Sequence, residues 1–280
     1  MALWLCLRFD ALPLEALLTP QSLHNDMALV VISQRQVLIC NEFAQLAGVV
    51  PGQSINTAQT LLAHQKNRFW ERSPEAENIL LQQLLGWAYG ISPHLQQWQD
   101  NALMIEIGSC LRLHHGLNKL LRRVDAEIGL RGLTVAKGVA ETRTAAWLLS
   151  HADPYLSCRA ELPLEERIAP LPLTLLVTEF PQLVTRLEKA GITQFSHLLR
   201  ISLPELGKRC GGLFINWLDR LMGRQQEPVI VYEPPRYFKD TLWFGFDIHN
   251  QQELHPAMER LLDHFCLFLK NTQLTCGMIE

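Results

Sequence analysis

Cysteines are few and scattered in this chain, and the chain has no apolar run long enough to suggest a membrane protein. The seven cysteines never form a C-x-x-C pair, which argues against a zinc site or a disulfide framework and favours a reducing cytoplasm. The apolar residues 1–18 have no basic leader and are interrupted by Arg8 and Pro13. We therefore expect neither a signal peptide nor a membrane-spanning segment.

An excess of positive charge is also absent. The net charge is −3, so any contact with nucleic acid must come from a local group of basic residues. The 280 residues are 48% hydrophobic and 19% charged, which is typical of a globular protein with one large domain or a few small ones. No internal repeat or low-complexity tract is visible.

Residues 1–152 alternate loosely between predicted strands and helices. The predicted strands are residues 2–9, two short strands within 28–40, a strand pair or one bent strand over 102–113, and 133–140. The predicted helices are residues 41–47, a helix capped by Ser54 or Asn56 that ends at 63, one beginning at Pro74, one over 117–128, and 142–152. Residues 64–73 are expected to be a loop. This pattern predicts an α+β or mixed α/β domain.

The rest of the chain divides into a helical region between two linkers and a final strand–helix–strand piece. Residues 154–172 are proline-rich and predict a linker, whereas 180–223 predict three short helices separated by Gly191, Pro204 and Gly211-Gly212. After a second linker over 227–235, we expect a strand at 237–248, a helix at 252–270 and a strand at 274–279. Two strands and one helix are marginal alone, so we expect a truncated domain.

Three segments together resemble the Y-family, or UmuC/DinB-type, lesion-bypass DNA polymerases. Residues 138–150 (GVAETRTAAWLLS) are similar to the family's G-I-A-x-N-K-x-x-A-K-x-A-S stretch. Residues 41–62 resemble its fingers segment, and 187–199 (LEKAGITQFSHLL) its helix-hairpin-helix motif in the thumb. The resemblance implies an α+β fold: a palm over 1–165 with fingers inserted at about 20–69, a helical thumb over 166–230, and an incomplete α/β little finger over 231–280.

The chain departs from the family pattern at the metal site. Y-family polymerases hold two divalent ions with carboxylates at two places, a D-x-D at the end of the first strand and a later Asp-Glu pair. When Glu15 is aligned on the Glu that follows the D-x-D, Cys6 and Arg8 occupy the two Asp positions. The Asp-Glu pair corresponds to Ile107 and Gly108, neither of which can bind Mg²⁺ through a side chain. We therefore expect no catalytic residue, no metal and no other cofactor.

The positions that hold the nucleotide also differ. The family's triphosphate-binding Tyr and Arg correspond to Glu42 and Gln45, and an acidic Glu42 would repel the nucleotide. The family's Lys corresponds to Arg143, which keeps the positive charge. Residues 3–15 and 104–113 are similar to two stretches of the ImuB-type branch, L-W-L-x-L-x-F…L-P-L-E and L-E-I-G-x-x-L-R-L. The losses at the metal and nucleotide positions also resemble that branch. That branch implies a non-catalytic adaptor in damage-induced mutagenesis, which acts in the cytoplasm at the nucleoid and links the sliding clamp, a RecA-like accessory protein and an error-prone C-family polymerase.

Candidate DNA contacts lie mainly in the predicted thumb. Gly191 permits a tight turn, and the amides of Ile192 and Thr193 are expected to start the next helix and donate to a DNA phosphate without reading sequence. Further candidate backbone contacts are Lys208, Arg209, Arg236 and Lys239. We expect weak, sequence-independent binding of primer-template DNA. In the alternative structural role, Gly191 only terminates a helix.

Two other functions remain open. Asp10, Asp100 and Glu106 lie near the two carboxylate segments, and they would be displaced metal ligands if the alignment were shifted by a few residues. The chain would then be an active translesion DNA polymerase; otherwise these residues are solvated turn or strand-edge positions. A helix-hairpin-helix repair protein of another kind, such as a glycosylase, is disfavoured because no catalytic Lys-Asp arrangement is visible.

Overall fold

The computed structural model describes residues 2–18, 27–228, 232–235, 237–242, 250–272 and 274–275. The chain divides into two compact units, neither of which is continuous in sequence. Unit 1 consists of Met1–Arg8, Ile91–Arg123 and Val135–Tyr232, and unit 2 of Phe9–Gly90, Val124–Thr134 and Glu233–Glu280.

Strands and helices both occur in the described residues, so the predicted α+β class is confirmed. The strands are β1 (Trp4–Arg8), β2 (Ala28–Ser33), β3 (Gln36–Cys40), β4 (Asn67–Glu71), β5 (Leu95–Trp98), β6 (Ala102–Glu106) and β7 (Ala136–Ala140). The helices are α1 (Leu12–Glu15), α2 (Glu42–Leu46), α3 (Ile55–Leu61), α4 (Pro74–Tyr89), α5 (Leu117–Leu130), α6 (Arg143–Leu149), α7 (Pro154–Ser157), α8 (Leu164–Ile168), α9 (Pro181–Lys189), α10 (Phe195–Leu198), α11 (Leu203–Cys210), α12 (Gly212–Leu221) and α13 (Gln251–Thr272). Within this part of the chain, no helix is long and apolar enough to cross a membrane.

Unit 1 is built on a four-stranded sheet with the order β5-β6-β1-β7, in which every neighbouring pair is antiparallel. The central strand β1 is apolar at four consecutive positions because both of its faces are buried. Trp4 and Cys6 belong to a core that also contains Met104 of β6 and Ala146 of α6. This core continues into α9 to α12, so the sheet and these helices share one hydrophobic interior.

The helical part of unit 1 is held by an aromatic cluster. Phe180 contacts Phe214 and Trp217 edge-on, and Phe195 packs against Trp217. The prediction of an all-helical region over 180–223 is confirmed, but the region has four helices rather than three. Pro204 lies in the first turn of α11 instead of separating two helices, a position where its missing amide costs no hydrogen bond.

Unit 2 contains a second sheet with the order β3-β2-β4. The predicted turn between β2 and β3 is confirmed, with Gln34 and Arg35 at positive φ of 51° and 65°, as in a two-residue hairpin turn. Asn41 caps α2 through Ala44 N at 3.1 Å and accepts from Leu29 N at 2.9 Å, which fixes the helix to the sheet.

Several local predictions are wrong, because polar residues in these segments mask the pattern of the strands and helices that form there. Residues 64–73 are not entirely a loop, because β4 pairs with β2 in parallel and its Phe69 and Trp70 pack on opposite sides of the sheet. Residues 102–113 form a strand only as far as Glu106, and β5 was not predicted. Residues 154–172 contain α7 and α8 and are therefore not a simple linker.

The final segment is only partly described. The predicted helix over 252–270 is confirmed by α13, Gln251–Thr272. Residues 237–242 do not form a strand, and the remainder of the predicted strand at 237–248, from 243, lies outside the described residues. Most of the predicted strand at 274–279, from 276, also lies outside them.

Candidate functional site

The positions of the first metal-binding motif lie on β1 and carry no carboxylate. The Cys6 side chain is fully buried in the apolar core. Arg8 points to the end of α6, where its Nε donates to Ser150 Oγ at 3.0 Å and its Nη2 donates to Ser150 O at 3.0 Å. A guanidinium held at this position repels a divalent cation instead of binding it.

The structure does not bring Ile107 and Gly108 to Arg8. Both of their amides approach Leu3 O, at 2.7 and 3.2 Å, so these residues lie beside the beginning of β1. Arg8 lies at the other end of β1 and pairs with Ala102. Since a strand rises about 3.4 Å per residue, Arg8 lies about 17 Å from Leu3. The expectation that all four positions mark one degenerate metal site is therefore wrong.

The antiparallel register identifies a different neighbour for the end of β1. Arg8 pairs with Ala102, and Trp98 of β5 also pairs with Ala102, so the hairpin turn at 99–101 lies directly beyond this end of the sheet. The turn contains the exposed Asp100. If the two carboxylate positions of the family meet at one site, the second corresponds to this turn rather than to 107–108.

Glu106, another alternative ligand, lies at the opposite end of the sheet. Its oxygens accept from Ser109 Oγ at 2.5 Å, from Ser109 N at 3.3 Å and from Leu3 N at 3.3 Å. Burial alone would raise the pKa of Glu106, but the hydrogen bonds from Ser109 and the backbone outweigh burial and lower it. Among the described residues, no three His, Cys, Asp or Glu side chains group as metal ligands.

Arg143, at the nucleotide-binding Lys position, is enclosed by unit 1. Only 3% of its side chain is exposed, and its Nε donates to Glu227 Oε2 at 3.1 Å. Nη1 donates to Gln96 Oε1 at 2.9 Å and Nη2 to Pro228 O at 2.7 Å. The positive charge that Arg143 keeps at this position is therefore neutralised by a carboxylate from the same chain.

Two tryptophans complete the enclosure of Arg143. The guanidinium lies over the ring of Trp4 at 5.4 Å and over the ring of Trp98 at 5.7 Å, measured to the ring centroids. Contacts of this kind stabilise a desolvated cation. Neither Glu227 nor the two tryptophans were identified from the sequence, and the Glu227 contact joins residues 84 apart, for which no local pattern exists.

The other two nucleotide positions belong to unit 2. Glu42 and Gln45 are both exposed on α2, and Gln45 Nε2 donates back to Cys40 O at 3.3 Å. Since neither side chain is a cation, α2 offers no charge from these positions that would attract a triphosphate.

The turn at Gly191 closes a helix and does not present free amides. Gly191 has a φ of 77°. Its amide donates to Glu188 O at 2.9 Å, and the Ile192 amide donates to Leu187 O at 2.9 Å, which is a Schellman C-cap. Thr193 N lies 3.4 Å from His197 Nδ1. The Ile192 amide is therefore not free as expected, and Gly191 has the C-cap role; a DNA contact by Gly191, Ile192 and Thr193 stays a prediction.

The candidate basic residues are distributed between the two units. Lys208 and Arg209 are exposed in the last turn of α11, in unit 1. Lys239 is exposed in unit 2, and Arg236 lies outside the described residues. Of the four, the structure thus presents Lys208 and Arg209 together on one helix.

A family model described as the impB/mucB/samB family matches residues 10–151. Protein ImuB from two strains of Caulobacter vibrioides is 24% identical over 223 residues, which cover 80% of this chain and 48% of the relatives. The chain thus spans about half the length of these curated relatives. Their similarity, together with the family match, confirms the predicted resemblance to the ImuB-like branch of the Y-family.

Solved structures of Y-family polymerases have a similar fold. A Dbh ternary complex with partially disordered substrates is 17% identical, with a TM-score of 0.63 over 94% of this chain and 79% of that one. DinB from Sulfolobus solfataricus is 18% identical, with a TM-score of 0.54 over 81% and 69%. At such identities the likeness shows the fold alone. Because the family model covers slightly more than half of the 280 residues, the chain belongs to the impB/mucB/samB family.

Proposed function

We propose that this chain is a catalytically silent Y-family relative that binds DNA as an adaptor in DNA damage tolerance. The observation that carries the proposal is the enclosure of Arg143. A polymerase needs an accessible cation that can bind the incoming triphosphate. Here the Arg143 guanidinium is paired with Glu227, and only 3% of the Arg143 side chain is exposed.

The end of β1 supports the same conclusion. Two-metal phosphoryl transfer requires several carboxylates around a pair of cations. At this place the chain has a buried thiol on Cys6 and the guanidinium of Arg8, which is bonded to Ser150. A fixed positive charge at this place disfavours the binding of divalent metal ions and therefore the phosphoryl transfer that depends on them.

The family resemblance supports a proposal for the domain roles. We place the palm over residues 1–165 with fingers at about 20–69, a helix-hairpin-helix thumb over 166–230, and the start of a little finger over 231–280. The structural relatives described as ternary complexes of Dbh DNA polymerase support an interaction with primer-template DNA. By likeness to Protein ImuB, the adaptor's partners are the sliding clamp, a RecA-like protein and an error-prone C-family polymerase in the cytoplasm.

One observation favours an active translesion polymerase as the second candidate. Asp100 lies in the turn between β5 and β6, beyond the end of the sheet at which Arg8 pairs with Ala102. It is exposed, and a carboxylate at this edge is a possible ligand. Catalysis would still require a binding site for the triphosphate that does not use Arg143.

A primer-extension assay with Mg²⁺ and with Mn²⁺, run beside a DNA-binding titration, separates the two candidates. We expect DNA binding without nucleotide incorporation. Arg143 is paired with Glu227 and is therefore not accessible to a triphosphate, and the guanidinium of Arg8 at the end of β1 disfavours metal binding. Incorporation that is lost in Asp100→Asn but kept in Glu161→Gln, which removes an exposed carboxylate elsewhere in unit 1, would establish the active polymerase.

Replacement of Lys208 and Arg209 by Ala should weaken DNA binding about three- to tenfold at low salt, equally for all sequences. Each phosphate contact releases counterions, so the double variant should also show a shallower dependence of affinity on salt. Fluorescence anisotropy with labelled primer-template duplexes of different sequence measures both quantities.

The matched control for this change is Lys119→Ala/Arg122→Ala, which removes two exposed cations from α5. The net charge changes by the same amount, but binding should be nearly unaffected if DNA contacts α11. Equal losses in the two double variants would show that only overall charge matters, and a strong preference for one sequence would contradict backbone binding.

A further inference from the structure

Residues 107–124 carry a local excess of positive charge. They contain four Lys or Arg residues and no Asp or Glu, although the net charge of the whole chain is −3. Arg112, Lys119 and Arg122 are exposed, and among the described residues none of the three forms an ion pair. A local group of unpaired cations attracts an anionic partner.

A hydrogen-bonded turn presents Arg112 and Leu113 directly before α5. His115 N donates to Arg112 O at 3.2 Å. The His114 side chain anchors the turn, since it is buried and its Nε2 lies 3.1 Å from Ile91 O. Leu113 is instead 73% exposed. The turn therefore places a large apolar side chain at the surface, next in the chain to the Arg112 cation.

The first turns of α5 present the other two cations. Lys119 and Arg122 are three residues apart in α5, so they are neighbours on the helix surface. Leu120 and Leu121, on the other face of α5, are buried. The residues of the turn and of this part of α5 all belong to unit 1. We call the four exposed residues the basic surface: Arg112, Leu113, Lys119 and Arg122.

Leu113 distinguishes between two kinds of anionic partner. A nucleic-acid backbone supplies charge but little apolar surface, so it would leave Leu113 exposed to solvent. An acidic protein segment supplies carboxylates for the three cations and can also place an apolar side chain on Leu113. We propose that the basic surface docks an acidic segment of a partner protein whose apolar side chains cover Leu113.

Binding of a model peptide tests the proposal. The probe is a short fluorescein-labelled peptide of glutamate and leucine, with the leucines at helical spacing, and fluorescence anisotropy measures its affinity. Lys119→Ala/Arg122→Ala should weaken binding about fivefold, because two exposed ion pairs are lost. Leu113→Ser should weaken it about threefold through the loss of apolar contact. A control peptide with serine in place of leucine should bind Leu113→Ser and the wild type equally.

Two matched variants show whether the effect belongs to this surface. Lys208→Ala/Arg209→Ala removes the same charge from α11. It should keep its affinity for the peptide while it loses affinity for duplex DNA, the reverse of the α5 variant. Leu130→Ser removes a side chain that is 88% exposed at the end of α5, and it should leave peptide binding unchanged.

The proposal is wrong if the wild type does not bind the peptide, if both double variants lose peptide affinity equally, or if Leu113→Ser binds as tightly as the wild type. It is also wrong if duplex DNA displaces the peptide and Lys119→Ala/Arg122→Ala weakens DNA binding, because the basic surface is then a phosphate surface. If the peptide results are as expected but DNA affinity does not depend on Lys208 and Arg209, only the DNA surface on α11 fails.

Discussion

Gly138→Ala should destabilise unit 1 by about 4 kcal/mol or more, which is beyond the usual range for an overpacked site. Strand β7 and helix α6 approach each other backbone to backbone at this residue. A Cβ on Gly138 would lie 2.0 Å from Ala146 O and 2.4 Å from Ser150 N. Because both are backbone atoms, no side-chain rotation relieves the clash, and α6 must move away from the sheet.

The consequence reaches the candidate site because α6 begins with Arg143 and ends beside Ser150, the partner of Arg8. Urea unfolding followed by circular dichroism measures the effect. The control is Gly207→Ala in α11, where a Cβ would meet only Ile215 at 3.9 Å. There Ala should be neutral or stabilise by up to about 1 kcal/mol, since it favours the helix. Similar stabilities of the two variants would contradict the close-approach argument.

The sequence predicted best the elements whose signals are local. The hairpin of β2 and β3, the helix ended by Gly48 and the helix α6 after Thr142 each have a period and a turn or cap within a few residues. The glycine of the 138–150 motif was visible, but the reason for it was not, because its contacts are with the backbone of the next helix.

The alignment of the second carboxylate segment failed for a different reason. A sequence of alternating apolar residues does not reveal where a hairpin turns, and strand register is decided by long-range pairing. The turn at 99–101 and the pairing of Arg8 with Ala102 could be read only from the structure. In the same way, Glu227 stands in a proline-flanked segment with no periodicity, so its role beside Arg143 had no sequence signal.

The segment predicted as a linker has its own anchor in Arg167 of α8. Only 3% of this residue is exposed. Its Nε donates to Leu156 O at 3.0 Å, and its Nη2 donates to Ser157 O at 2.8 Å and to Val139 O. Burial lowers the pKa of the Arg167 guanidinium, yet an arginine remains charged at neutral pH. One side chain thus joins α8 to α7 and to the β7 strand that carries Gly138.

Arg167→Ala should therefore cost about 3–5 kcal/mol of unfolding free energy, because it leaves three carbonyls without their donor and opens a cavity. Arg167→Lys keeps a charge but cannot supply the planar fork of donors, so it should fall between the wild type and Ala. The control is Arg159→Ala, which removes a side chain that is 44% exposed and contacts only Glu161, at 3.7 Å, and the ring of Tyr155, at 4.1 Å to the centroid, among the contacts described; this loss should be below about 1 kcal/mol. Urea unfolding followed by tryptophan fluorescence measures these differences, and Trp147 lies in the same core as Ile168 of α8. If Arg167→Ala and Arg159→Ala unfold at the same urea concentration, residues 154–172 are an ordinary linker and Arg167 does not anchor them.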